Sequence, residues 1–213
     1  MTFSSSLTEE DRQLVLDSSV VINLLATEKP APILSALAMP ISVTDNVIRE
    51  IELGGISGRP DASLLNDLIA KKILRVGQLE GPPLQMFFGL VSGSTSESLG
   101  DGEAATLAFA YGTGCSAVID EKKATRLSAS RFASLRLATT IDILAHASVR
   151  SALGHAALAE ATFQALRVAR MQVREHQFDW IVKLIGERNV AACTSLKRLA
   201  THRARCSHEK ITS

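Results

Sequence analysis

Residues 98–120, Ser-Leu-Gly-Asp-Gly-Glu-Ala-Ala-Thr-Leu-Ala-Phe-Ala-Tyr-Gly-Thr-Gly-Cys-Ser-Ala-Val-Ile-Asp, limit the possible folds more than any other stretch of this chain. They read as a helix opened by Gly and two carboxylates, Asp101 and Glu103, then a Gly-rich turn, then an apolar strand that stops on Asp120. Ala104, Leu107, Ala108 and Tyr111 recur at i, i+3, i+4 and i+7, the spacing of one helix face. In a parallel α/β sheet, helix N-termini and strand C-termini share the carboxyl edge, where such folds place their ligands. That order brings Asp101 or Glu103 close to Asp120.

The same junction recurs along the chain. Leu14-Val-Leu-Asp17 is a short apolar run closed by an acid, and Ser18 and Ser19 open a helix over 20–26. A second strand over 41–43 leads through Thr44 and Asp45 into a helix over 46–52. Val47, Ile48 and Ile51 form its core stripe, and Glu50 lies at the rim. Residues 61–72 are amphipathic, with Leu64, Leu65, Leu68 and Ile69 on one face. A third strand over 73–76 follows, and then an irregular stretch over 80–97 that holds Pro82, Pro83, the apolar patch 86–91 and a Ser/Gly-rich run. After the fourth strand at 116–119 come a helix over 121–129, a fifth strand at 135–137, and a helix capped by Thr139 and Thr140 that runs to about 152. Alternation of this kind specifies an α/β fold with a mainly parallel sheet. Beyond Gly154 the reading is helical only, over 156–174, 178–187 and 190–205. The expected organisation is one α/β domain over 1–152 and a C-terminal helical extension over 153–213.

Composition excludes several classes. No apolar run approaches the roughly 20 residues that span a bilayer, and the first residues lack the basic and apolar regions of a secretory signal. A cytoplasmic location with no membrane association is the resulting expectation. Cys115, Cys193 and Cys206 are too few and too scattered for a disulfide framework or a thiolate zinc site. The net charge of +1 conceals an asymmetry: residues 1–150 carry 13 Lys/Arg against 17 Asp/Glu, whereas residues 151–213 carry 10 against 5. A basic tail of this sort suits an acidic partner or a phosphate backbone, and equally a solvated helical face.

Each acid at the expected edge has an ordinary structural use. Asp17 and Asp120 are turn or capping residues at strand ends, Asp101 is a helix cap, and Glu103 in a first turn is favoured by the helix dipole. Together they pose a different problem. Carboxylates converging on one edge repel one another and stay ionised near neutral pH only with cations among them. Mg²⁺ and Mn²⁺ suit an all-oxygen site. A pair of such ions about 4 Å apart activates a water and stabilises the leaving oxygen of a phosphoryl displacement.

The segments Leu14-Val-Leu-Asp17-Ser-Ser-Val-Val-Ile-Asn-Leu-Leu, Val47-Ile-Arg-Glu50-Ile, Gly100-Asp-Gly-Glu103-Ala-Ala-Thr-Leu-Ala and Val118-Ile-Asp120-Glu-Lys-Lys-Ala-Thr-Arg126 resemble, in order and approximate spacing, the successive motifs of PIN-domain proteins, which include the VapC-like toxin ribonucleases. The resemblance covers residues 14 to about 150. It implies a three-layer α/β/α sandwich that cuts RNA at a Mg²⁺ or Mn²⁺ site. By position it makes Asp17, Glu50, Glu103 and Asp120 the acidic quartet, both catalytic and metal-holding, with Ser19 or Thr44 as the supporting hydroxyl. Asp17 and Asp120 would hold metal directly, and Glu50 and Glu103 would complete the shell or orient water. A protein antitoxin and a homodimer are further expectations from the family.

Two choices rest on the motifs together with geometry. Residues i and i+2 on a helix point about 200° apart, so only one of Asp101 and Glu103 faces the site, and strand alternation sends Asp120 and Glu121 to opposite faces; in each pair the resemblance to the family motif selects the residue, Glu103 and Asp120. Lys122, Lys123 and Arg126, beside the expected site, are candidates for RNA phosphate contacts. The competing reading is a catalytically inactive PIN-like module that binds RNA or protein. A phosphohydrolase using Asp17 as nucleophile ranks lower, because Ser19 stands where a second acid is expected.

Overall fold

The computed structural model of the chain describes residues 3–54, 60–92 and 98–209. Its elements run β1 (Leu14–Leu16), α1 (Ser18–Ala26), α2 (Pro30–Ala36), β2 (Ile41–Thr44), α3 (Asp45–Leu53), α4 (Asp61–Ala70), β3 (Arg75–Gly77), α5 (Pro82–Val91), α6 (Asp101–Thr113), β4 (Ser116–Val118), α7 (Lys122–Arg131), β5 (Leu137–Ala138), α8 (Thr140–Ala145), α9 (Ala147–Val168), α10 (Phe178–Ile185) and α11 (Thr194–Glu209). The five strands pair in the order β3-β2-β1-β4-β5, all parallel. Leu16 lies opposite Val118, and Leu14 opposite Ile41.

Strand alternation divides the interior into two layers. In β1, Leu14 and Leu16 face one apolar cluster and Val15 the other; in and after β4, Val118 faces the first and Ala117 and Ile119 the second. Residues of α1 to α4 and α8 to α10 fill the first layer, and those of α5 to α7 the second. This is the expected α/β/α sandwich. Connections leave β1 in one direction and β4 in the other, so their carboxyl ends flank the switch point of the sheet.

The helical extension shares the first layer. Leu158, Ala165, Leu166, Met171, Val173 and Ile181 belong to the same buried cluster as Leu14 and Leu16. The long α9 crosses the expected boundary at 152 and is broken at Gly154, whose φ of 70° is the left-handed conformation that favours glycine.

Other boundaries also differ from expectation. Residues 82–91, read as part of an irregular stretch, form α5. Pro82 and Pro83 occupy its first turn, where a missing N–H costs nothing, and Phe87 and Leu90 are buried beneath it. Residues 93–97 of that stretch lie outside the described residues, as does the side chain of Cys206. The third strand begins two residues late because Ile73 and Leu74 close α4 through N–H bonds to the Leu68 carbonyl. Leu64, expected in the core, is exposed. The helix expected over 139–152 ends at Ala145, and α9 starts two residues on.

Because the extension shares the sandwich core, Leu166→Ala should lower the stability of the whole chain by about 2–5 kcal/mol. Urea unfolding should show one transition, with circular dichroism and the fluorescence of the one Trp, Trp180 in α10, coinciding. Two separated transitions would contradict the shared core.

Candidate active site

The β1–α1 junction delivers Asp17 to the switch point. Its N–H donates to the Val118 carbonyl at 3.1 Å, continuing the β1–β4 pairing one residue past the strand. With φ −76° and ψ 162°, Asp17 itself is the N-cap of α1. Its Oδ2 accepts from the Ser19 N–H at 3.3 Å and the Ser19 hydroxyl at 2.7 Å. Oδ1 is buried with no hydrogen-bond partner. Burial pushes the carboxyl up to about 7, against the bonds from Ser19 and with a further push from the negative charge of Glu103.

Glu103 sits in the first turn of α6, half-buried, and accepts from the Gly100 N–H at 3.3 Å. Burial raises its pKa; the Gly100 N–H and Lys123 oppose the rise, while the charges of Glu121 and Glu50 add to it. Asp101, two residues earlier, is exposed. Glu103 is the α6 acid whose charge bears on Asp17, and Asp101 points to solvent. Glu50, exposed on α3, accepts at 2.6 Å from the Ser18 hydroxyl on α1. Gly102 leaves room for this hydrogen bond, because a Cβ there would overlap both Glu50 Oε2 and Ser18 Oγ and force the two side chains to shift.

Asp120 follows β4 and is buried. Its oxygens accept from the Thr140 N–H at 2.9 Å, the Thr140 hydroxyl at 2.6 Å and the Asn23 amide at 2.7 Å. Burial raises its pKa despite those donors and the nearby positive charge of Arg174. Glu121, assigned to the opposite face by strand alternation, caps α7 and acts electrostatically on Glu103. The alternation argument fails because β4 ends at Val118, so the chain is no longer a strand at 120–121. Lys123 donates to the Ser98 carbonyl at 2.5 Å, whereas Lys122 and Arg126 are exposed on α7.

Thr44 proves to be the N-cap of α3, accepting from the Val47 N–H at 3.3 Å, and is completely buried. Of the two hydroxyls considered, only Ser19 touches a candidate acid. Ser18, Asn23, Thr140 and Arg174 complete the polar surroundings; the sequence marks Ser18 and Thr140 only as helix-opening residues and gives Asn23 and Arg174 no role. Asn23 left a signal: it is an amide inside an otherwise apolar helix, four residues after Ser19 and so on the same face.

A family model described as a PIN domain matches residues 13–187. The chain belongs to the PIN-domain family. Searches of curated proteins and of solved structures each find no match. PIN domains are in general nucleases and typically use divalent metal ions, so membership gives this chain a nuclease-like fold and a coarse relation to hydrolases. Among the described residues of this PIN domain, no three Asp, Glu, His or Cys side chains are gathered tightly enough to enclose a metal ion. The donor chemistry still fits a hard cation that retains most of its waters. Asp17 Oδ1 is a buried oxygen with no donor, and the acids around it supply only oxygen. No helix of the described residues is long and apolar enough to cross a membrane.

The folded Asp17 carboxyl keeps its proton up to about 7, whereas an unfolded one loses it near 3.8. Between those values the folded chain holds the extra proton, so raising the pH favours unfolding. Without metal, the contribution of Asp17 to stability should fall across this window by on the order of 4 kcal/mol. The check is urea unfolding of wild type and Asp17→Asn from pH 4 to pH 7.5. The variant should gain relative stability as pH rises, and a pH-independent difference would contradict the burial account.

Proposed function

We propose that this PIN domain is a Mg²⁺- or Mn²⁺-dependent endoribonuclease that hydrolyses RNA phosphodiester bonds. One observation carries the reading: the switch point holds a buried aspartate, Asp17, with an unpartnered oxygen, and Glu103 sets a second negative charge against it. Such a pair is unfavourable in isolation and favourable around a cation.

In this reading Asp17 and Asp120 hold the metal directly, and Glu50 and Glu103 complete its surroundings through water. A bound divalent ion would activate a water and offset the charge that develops on the phosphodiester. The chain's own residues do the positioning. Ser19 holds Oδ2 of Asp17, leaving Oδ1 as the oxygen available to a ligand. Thr140 and Asn23 fix the Asp120 carboxylate through three donors and favour its ionised form. Ser18 ties Glu50 to the start of α1, and Glu103, whose pKa is raised by burial and by its acidic neighbours, would accept a proton from the attacking water. Lys122 and Arg126 would meet phosphates beside the site. Lys123, tied to the Ser98 carbonyl, would act from the rim.

The finer reading as the toxin of a toxin–antitoxin pair adds a small protein antitoxin and a homodimer. Phe88, exposed on α5, supplies an apolar side chain for such a contact. The second reading, an inactive RNA- or protein-binding module, is favoured by one observation, the lack of a tight three-acid group among the described residues.

Cleavage of single-stranded RNA should require Mn²⁺ or Mg²⁺. Asp17→Asn and Asp120→Asn should each reduce the rate by about 100-fold or more, the loss of several kcal/mol of metal-mediated stabilisation. Cleavage that survives both substitutions would reject these residues as the site, and absence of cleavage by wild type with either ion would favour the inactive module.

A further inference from the structure

The C-terminal helices leave a groove of about 730 Å³ against the start of α7, and its lining is basic: Lys122 from α7, Arg170 and Arg174 from the segment after α9, and Arg198 from α11, against the single acid Glu175. Lys122, Arg170 and Arg198 are exposed. Three of the ten basic residues of 151–213, Arg170, Arg174 and Arg198, meet here with Lys122. Like charges spread apart on a surface unless something requires them together.

Two features connect the groove to the acidic edge. Arg174 donates through Nη2 to the Ile119 carbonyl at 3.4 Å and to the Thr125 hydroxyl at 3.0 Å, which fastens the groove wall one residue from Asp120. Its Nε is buried without a partner. Lys122 and Arg174 also line an adjoining hollow of about 430 Å³ with Thr125 and Arg126, so the basic surface continues along α7. Arg170 holds the left-handed backbone position that ends α9, with φ 56°, where glycine is the favoured residue. The Met171 N–H bond to the Ala165 carbonyl closes the helix around it.

We propose that this groove binds the phosphodiester backbone of single-stranded nucleic acid, with Arg170, Arg198 and Lys122 neutralising successive phosphates and leading the strand past Arg174 to the acidic edge. The inference rests on the nuclease reading and extends it to the helical extension. The chemistry favours a nucleic acid over an acidic peptide. A polymer with one anion per unit can engage several separated cations and still present a phosphodiester at the Asp17–Asp120 edge, whereas carboxylates of a peptide would have no bond to offer there.

Binding decides the matter without requiring cleavage. Fluorescence anisotropy of a labelled 12-nucleotide oligouridylate would be measured with the full-length Asp17→Asn chain in EDTA over a series of salt concentrations. Each phosphate contact to a single strand adds about 0.7 to the slope of log affinity against log salt. Arg170→Ser with Arg198→Ser should therefore reduce the slope by about 1.4 and weaken binding by about 10-fold or more at low salt. Lys71→Ser with Lys72→Ser, at the end of α4, should change neither. The inference is overturned if the groove variant keeps the affinity and slope, if the oligonucleotide does not bind at low salt, or if oligoglutamate of equal charge binds as tightly. A wild-type chain that binds in this way but cleaves no RNA with Mn²⁺ would reject the nuclease reading and keep the groove.

Discussion

Placing Asp17 at the centre of a parallel sheet, with one carboxylate oxygen buried and unpaired, imposes the constraint around which the site is arranged. The residue is held there by the continuation of β1–β4 pairing through its own N–H and by its use as the cap of α1. Removing a carboxylate from water disfavours its charge, and Glu103 adds to the penalty. A structure that relieved this with a hydrogen bond to Oδ1 would be more stable and would leave that oxygen one acceptor site fewer for a ligand. Asp120 shows the contrast: it is equally buried, yet three donors from Asn23 and Thr140 hold it. The two aspartates at one sheet edge are thus prepared differently, one open and one fixed.

The remaining architecture supports that edge. Gly102 leaves space over the first turn of α6 for the Glu50 carboxylate and the Ser18 hydroxyl, and the charge of Glu50 acts on Glu103. Arg174, from the helical extension, bonds to the end of β4 and brings a positive charge near Asp120. Gln177, also from the extension and buried, donates to the Thr139 hydroxyl at 2.9 Å, beside the Thr140 that holds Asp120. The extension is therefore part of the scaffold of the site as well as of the core, in keeping with a family match that continues to residue 187.

Much of the fold was legible in the sequence because the decisive signals are local. Leu14-Val-Leu-Asp17 followed by Ser18 and Ser19 encodes a strand, its end and a helix start within a few residues, and 100–120 does so in reverse order. Strand alternation beyond β4 misled, because it was extended past the point where the strand ends, and Glu121 belongs with the acids around Glu103. The proline pair at 82–83 reads as a helix breaker in isolation but is compatible with a first turn. Arg174 lies 55 residues from Ile119 and was beyond any periodicity argument, since only the return of the extension onto the sheet brings them together. Asn23 was accessible in principle, because an amide buried on an apolar helix needs a partner.

In the metal-dependent reading, Asp17 stays protonated until a divalent cation displaces the proton beside Oδ1. Calorimetric titration of the chain with Mn²⁺ at pH 6, in buffers of different ionisation enthalpy, counts the protons released on binding. The account predicts release of close to one proton from Asp17, declining as the pH is raised above about 7 and absent in Asp17→Asn. Mn²⁺ binding without proton release and unaffected by that substitution, or no binding at millimolar Mn²⁺, would contradict it.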